Sequence, residues 1–418
     1  MVRIFIGLII FQVLFALTDI HAEELLNFET EPILYSRTEP ENSLTNLQQK
    51  IDEGTSSLSY DSNHGYLSAI LSELEVSPTS QLLVFSKTSV QRAHITPKTP
   101  RAIYFNDDLY VAVVPGGFLE FIVPDPKLGL AFYRLDQNPE QVQFKQEIAR
   151  CMTCHSSSRT RNIPGLQARS MFVDPAGMPV VSAGSFRTTQ ASPLSERWGG
   201  WYVTGTHGTA QHMGNFHLPD NKRPRKPIIN ETGLNQVELA THFDLKDYIT
   251  PHSDIVALMV FEHQLDMHNQ FSRIQYAWRI AKHESKPEEY WKNECDTLLQ
   301  QMLFVDEVKL TDPVAGTSGF AEYFAALGPE NKGRHSLRQF NLSTRLFEYP
   351  CSYMIYSDSF DMLPQPAQEY IYVRLHELLH TTEIPESFER LRNYNRPAIA
   401  RILMQTKPDL ATIWNELE

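Results

Sequence analysis

The sequence predicts an α+β fold, and three observations carry the prediction. Short β-rich runs crowd residues 81–136, a stretch rich in Gly, Pro, Ser, Thr and Asn fills 156–250, and apolar residues recur at helical spacing beyond Pro251. The expected architecture is a small N-terminal antiparallel sheet, a loop-rich middle segment and a predominantly helical C-terminal half.

The elements follow in chain order. In residues 1–22, Arg3 precedes an almost wholly apolar run over 4–17, and Ala22 offers a small residue at a cleavage point, which is the pattern of a signal peptide. The run falls short of the ~20 apolar residues that span a bilayer as a helix, and no later stretch supplies them, so the expectation is an exported chain, periplasmic or extracellular, with no transmembrane helix once mature. Residues 23–60 mix Glu, Thr, Ser, Asn and Pro with little periodicity and read as a flexible leader. The region 61–138 is a small α+β unit: Tyr66, Ile70, Leu71 and Leu74 mark a helix over 63–76, and strands over 82–85, 102–105, 109–114, 118–123 and 130–133 are punctuated by Asn106-Asp107-Asp108, Pro115-Gly116-Gly117 and Asp125-Pro126. The region 139–250 opens with a helix over 139–152, on Val142, Phe144, Ile148 and Met152, and continues as a loop with short strands near Phe172 and Val180. In the region 251–418, Ser253 caps a long helix striped by Val256, Val260, Met267, Phe271, Ile274, Trp278 and Ala281, with further helices near 287–304, 318–327, 364–381, 386–393 and 396–405.

With 418 residues, 42% apolar, the chain can bury a core, and a formal net charge of −13 excludes general affinity for nucleic-acid backbones or anionic membranes. Four cysteines are too few for a disulfide scaffold. Cys295 and Cys351 read equally as one disulfide or as two buried thiols, whereas Cys151 and Cys154 sit three apart.

Cys151-Met152-Thr153-Cys154-His155 is the C-x-x-C-H pattern of covalent haem attachment. On a helical turn, positions i and i+3 share a face, so both thiols can add to the two vinyl groups on one side of a porphyrin while the adjacent imidazole reaches the iron. A thioredoxin-like pair would open a helix after a strand, but this pair ends a helix and is followed by Ser156-Ser157-Ser158. A zinc site would need a second pair at matched spacing, which Cys295 and Cys351 do not provide.

The second axial position separates electron transfer from small-molecule chemistry. Met213, in Gln211-His212-Met213-Gly214-Asn215, is the first candidate, followed by His207 and His212; Met171 and Met178 lie in apolar runs that core packing explains, and a vacant position stays open. Trp198, Trp201 and Tyr202 offer flat apolar surface to a porphyrin, and Arg150, Arg159, Arg161, Arg169, Arg187 and Arg197 offer partners for its propionates.

Several segments together resemble a family. Asn106-Asp107-Asp108-Leu109-Tyr110-Val111, the haem motif followed by Arg159 and Pro164-Gly165, Ser182-Ala183-Gly184-Ser185-Phe186-Arg187-Thr188, Glu196-Arg197-Trp198-Gly199-Gly200-Trp201-Tyr202 with Gly205-Thr206-His207-Gly208, and Tyr349-Pro350-Cys351-Ser352-Tyr353 are similar to large exported bacterial monohaem cytochrome c domain proteins. The resemblance runs from about residue 95 to the end and implies haem and export without naming a reaction.

Three other patterns compete. His376-Glu377-Leu378-Leu379-His380 matches H-E-x-x-H, the zinc-hydrolase helix, but only Glu383, Glu386, Glu389 or Glu416 is left as a third ligand, and an amphipathic helix end explains it as well. His263 reads as a hydrogen-bonded core histidine, and Glu262, Asp266 and His268 do not reproduce the Glu-x-x-His pairs of di-iron bundles. Lys222-Arg223-Pro224-Arg225-Lys226 reads as a solvated loop or a docking patch for an acidic redox partner.

The expected function is that of a c-type cytochrome with one covalent haem c, iron held by His155 and Met213, passing single electrons outside the cytoplasm between a protein or small-molecule donor and acceptor. The alternative is a peroxidase-like haem oxidoreductase with an open distal iron position, aided by Arg187 or His207.

Overall fold

A computed structural model of the chain describes residues 26–220 and 230–417; the signal sequence expected over 1–22 and the basic run 222–226 lie outside the described residues. Strands β1 (Leu82–Val84), β2 (Arg101–Phe105), β3 (Tyr110–Val113), β4 (Leu119–Asp125), β5 (Gly129–Leu135) and β6 (Phe144–Gln146) form one antiparallel sheet in sequence order. The polar punctuation builds its turns. Asn106 Oδ1 accepts from the amides of Asp108 and Leu109, and Asp125 Oδ1 accepts from those of Lys127 and Leu128 before Gly129 turns the chain at φ +73°. The α+β expectation holds: a small antiparallel sheet precedes a mostly helical C-terminal half.

Two local expectations change. The segment 26–60 is not a loose leader: helix α1 (Ser43–Asp52) is capped by Asn42, Leu26, Ile33, Tyr35 and Leu44 are buried, and the Tyr35 hydroxyl donates to the Leu130 carbonyl on the sheet. Its apolar residues are too sparse to look periodic, yet each meets the sheet. The helix expected over 139–152 is instead β6 followed by the short α3 (Ala149–His155), because strand pairing of Phe144 with Leu135 outweighs the local helical spacing. The helix expected over 63–76 is α2 (Leu67–Glu73), whereas the strands expected near Phe172 and Val180 do not cover those residues; the pair that forms is β7 (Ala168–Met171) with β8 (Ser185–Thr188), a separate two-stranded sheet.

The long helix is α4 (Ile255–Glu284), capped by Asp254 rather than Ser253: one carboxylate oxygen accepts from the amides of Val256 and Ala257, the other from those of Thr317 and Ser318. It is buried continuously from Ile255 through Ala277, including Glu262, His263, Gln264, Asp266, His268 and Asn269. A helix covered on every side must have each of these polar groups partnered, and the partners come from loops on both sides. The sheet strand β5 lies against α4, as does α5 (Glu289–Met302). Helices α6 (Phe320–Ala326), α7 (Asp358–Asp361), α8 (Gln365–His380), α9 (Arg396–Thr406) and α10 (Pro408–Leu417) complete the C-terminal half, with α8 packed on α5, α9 and α10. No described helix is long and apolar enough to cross a membrane.

Candidate functional site

The paired cysteines lie on α3, which ends at His155. Both thiols are free, Cys151 half-buried and Cys154 exposed. The chain then doubles back and clamps the histidine: the Gly165 amide donates to the His155 carbonyl at 2.8 Å, and His155 Nδ1 lies 2.7 Å from the Gly165 carbonyl. A carbonyl only accepts, so Nδ1 carries the proton and Nε2 is left bare, the arrangement of a metal-ligating imidazole. Burial pushes the His155 pKa down to about 4, which keeps the ring neutral at physiological pH. Phe132 packs on the ring at 4.9 Å between centroids.

Gly165 is required at that turn. A Cβ there would fall 2.8 Å from Asn269 Oδ1 and 3.0 Å from Thr160 Cβ, and Asn269 in turn bonds both the amide and carbonyl of Leu166, tying the clamp to α4. Gly165→Ala is expected to destabilise the fold by about 1–3 kcal/mol, as overpacking does, and to free the His155 ring from its fixed orientation. Denaturant melts check the first effect and imidazole NMR line shapes the second.

His155, Cys151 and Cys154 border one cavity of about 160 Å³ that opens to solvent. One face of the sheet forms its floor. Side chains alternate along a strand, so Ile103, Tyr110, Ala112, Ile122 and Phe132 turn to the same side, and the register pairs Ile103 with Ala112 and Ile122 with Phe132. Trp201 and, from α4, Phe261 and Leu265 complete the apolar wall.

Charged groups line the cavity in two places. On the sheet, Arg101 pairs with Glu120 at 3.1 Å and Arg134 with Glu147 at 3.1 Å. Burial, with Glu120 and Glu147 adding to it, pushes the Cys151 thiol up to about 12, so it is a neutral thiol. On the hairpin, Arg169 donates to Ser185 Oγ at 3.2 Å while its Nε is buried without a partner, and burial, with Arg159 nearby, lowers its pKa. A desolvated guanidinium with an orphaned N–H suits a carboxylate-bearing ligand. Arg150 also lines the cavity.

Several expected site residues lie elsewhere. Of the three aromatic residues expected against a porphyrin, Trp201 lines the cavity, whereas Trp198 packs edge-on to His212 and the Tyr202 hydroxyl donates to the Pro97 carbonyl. Arg159 is exposed outside the cavity lining, and Arg187 is held in an ion pair with Asp266 at 2.5 Å. Met213 is buried with its sulfur accepting from Ser170 Oγ at 3.4 Å, and His207 and His212 contact each other at 4.7 Å; none of the three lines the cavity. Among the described residues lining it, His155 is the sole His or Met. Met171 is buried and Met178 exposed, both outside it.

The competing patterns resolve as structural features. His380 Nδ1 bonds the His376 carbonyl at 2.8 Å, Glu377 is ion-paired with Arg374, and no group of three or more His, Cys, Asp or Glu placed to hold a metal ion occurs among the described residues. His263 is bonded on both nitrogens, to Gln190 Oε1 and Ser352 Oγ, as a core histidine. Cys295 and Cys351 are buried free thiols. The residues that sequence reasoning missed are Arg101, Glu120, Tyr110, Phe261 and Leu265; the signal available was strand alternation that puts a charge on the same face as Ile103 and Ile122, but the face becomes a wall only through pairing with segments far away in sequence.

Comparison of the chain with protein-family models, with curated proteins and with solved structures finds no match.

Proposed function

We propose that the chain is an exported c-type haem protein, with one haem c bonded to Cys151 and Cys154 and ligated by His155, and that it acts as a haem-dependent, peroxidase-like oxidoreductase rather than as a Met-ligated electron carrier. The observation that carries the reading is the cavity: both thiols and a neutral imidazole with a bare Nε2 border one largely apolar space, and among the described residues no second His or Met lines it. The donor set fits the group. Two thiols one helical turn apart match two vinyl attachment points, a flat apolar floor matches a macrocycle, and the orphaned Arg169 Nε matches a propionate.

A haem bound there supplies one-electron chemistry with an iron coordination site free for a small ligand. The protein's own residues do the rest. Gly165 holds the His155 ring in one orientation, Phe132 and Trp201 exclude water from the apolar wall, and the Arg101–Glu120 pair places a hydrogen-bond donor and a carboxylate inside the same chamber. Ser89 Oγ donates to Glu120 Oε1 at 3.2 Å and fixes that carboxylate.

Intact mass of protein made in a host competent for cytochrome maturation tests the first half of the proposal: the haem mass is expected on the polypeptide and is expected to survive acid extraction. Carbon monoxide binding to the reduced protein tests the second. Rapid binding is expected, and Met213→Leu is expected to leave both the spectrum and the binding rate unchanged while costing less than about 1.5 kcal/mol of stability. An inert six-coordinate spectrum that opens up in Met213→Leu would restore the electron-carrier reading.

A further inference from the structure

Tyr110 joins the haem cavity to the buried polar face of α4. Its ring lines the cavity, edge-on to Phe261 at 5.7 Å, and the residue is 4% exposed. Its hydroxyl bonds His268 Nδ1 at 2.7 Å, His268 Nε2 bonds Ser359 Oγ at 2.9 Å, and Ser359 Oγ donates to Asp108 Oδ1 at 2.8 Å. His268 and Ser359 are buried, while Asp108 is half-buried.

The direction of this chain is fixed from its far end. An ionised carboxylate only accepts, so Ser359 spends its proton on Asp108 and must accept from His268 Nε2–H. Burial keeps His268 neutral, leaving Nδ1 bare to accept the Tyr110 hydroxyl proton. Gln264, one turn before His268 on α4, adds a donor to the phenol oxygen: its Nε2 lies 3.1 Å from Tyr110 Oη, and its orientation is set by donation to the Asn106 carbonyl and acceptance from the Tyr353 hydroxyl. Burying a phenol needs a single acceptor, and the other buried tyrosines have no more than that: Tyr35 and Tyr276 donate to backbone carbonyls, and Tyr104 to Gln81 Oε1. Tyr110 alone among these meets a base at the head of a proton wire.

We infer that Tyr110 is a redox-active tyrosine that gives single electrons to the haem while its phenolic proton leaves along His268, Ser359 and Asp108. The inference rests on the reading that the cavity holds a haem with an open iron position. In the step, the Tyr110 O–H bond breaks and a bond to His268 Nδ1 forms. The Nε2 proton of His268 passes to Ser359 Oγ, and the Ser359 proton passes to Asp108. Tyrosine and carboxylate thus become a neutral tyrosyl radical and a carboxylic acid, with one electron released. The oxidant is hydrogen peroxide, whose reduction to two waters takes two electrons and two solvent protons; Tyr110 would supply one of those electrons, and a haem held by Cys151, Cys154 and His155 would supply the other. Asp108, pushed up to about 6 by burial, takes a proton more readily than an ordinary carboxylate and lies where water can recover it. The wire would let a deeply buried residue deliver oxidising equivalents without opening the cavity to solvent.

The test is freeze-quench electron paramagnetic resonance on the haem-loaded ferric protein mixed with one equivalent of hydrogen peroxide. A radical whose hyperfine structure narrows when the tyrosine rings are deuterated is expected. It should vanish in Tyr110→Phe and form about a hundredfold more slowly in His268→Gln, the effect of losing a positioned proton acceptor. A radical that persists in Tyr110→Phe, or one insensitive to tyrosine deuteration, as an indole radical on Trp201 would be, overturns the inference. Nitrogen-15 NMR of the reduced, carbon monoxide-bound protein gives a readout free of turnover: the Nε2–H tautomer of His268 is expected, and an Nδ1–H tautomer would reverse the wire and end the proposal. Protein without covalent haem removes both this inference and the function it rests on; haem-loaded protein whose radical is unaffected by Tyr110→Phe removes this one alone.

Discussion

A chain with both Cys151→Ser and Cys154→Ser, produced in a maturation-competent host, is expected to carry no haem that survives acid extraction, whereas each single variant keeps one thioether. The cavity and the His155 clamp do not depend on the sulfurs, so the double variant is expected to retain extractable haem with an imidazole ligand. His155→Ala gives the complementary result: both thioethers intact, the axial nitrogen gone, and an altered ferrous spectrum. Intact mass before and after extraction, read beside absorption, separates the two losses. Wild-type protein that emerges only as apoprotein would end the haem reading.

The contribution of Glu307 to stability is expected to fall as pH rises from about 4.5 to about 7, opposing the buried histidines His155, His212, His263 and His268, whose lowered pKa values favour the fold as pH rises. Glu307 is 8% exposed, and burial pushes its carboxyl up from 4.5 to about 7, even though its Oε1 accepts from the Leu346 amide at 2.7 Å and arginines stand nearby. Between those two values the folded protein still holds a proton that the unfolded chain has released, so each step up in pH favours unfolding. The full window is worth about 3 kcal/mol for this one group. Asp266 and Asp108, both raised to about 6 by burial, act with the same sign over a lower range. Glu307→Gln keeps the acceptor for Leu346 and removes the titration, so between about pH 5 and about pH 7.5 the variant should gain about 3 kcal/mol of stability relative to the wild type. Equal pH slopes in the two proteins would show that Glu307 ionises freely in the fold.

Much of the architecture was legible because it is local. Strand alternation, Asn-Asp-Asp and Pro-Gly-Gly turns and a 30-residue apolar stripe each carry their own signal, and β1–β5 and α4 stand close to where the spacing puts them. The reading failed where the decisive partner is remote. Residues 26–60 look unstructured alone because Tyr35 and Asn42 take their meaning from Leu130, Asp125 and Tyr133 on the sheet. The helix expected over 139–152 gives way to a strand that only β5 can specify. The site shows the same division. Cys151, Cys154 and His155 fall within one pentapeptide and are found by spacing, as is Trp201 by composition, but Met213 is a candidate by residue type alone, and a sulfur held against Ser170 is something no spacing reveals. Arg101 and Glu120 were invisible as a pair because a charge facing inward on a strand has meaning only once both faces of the sheet are known.

Because α4 is enclosed along most of its length, the molecule has no seam. Phe261 and Leu265 wall the cavity beside Cys151, Cys154 and His155 from the same rod whose other sides carry Glu262 to Arg197 and Gln270 to Glu294. Removing everything after the motif region would strip the chamber of a wall, and removing everything before α4 would leave a naked polar and apolar cylinder with nothing to satisfy either kind of group. Neither half is therefore expected to fold when expressed without the other.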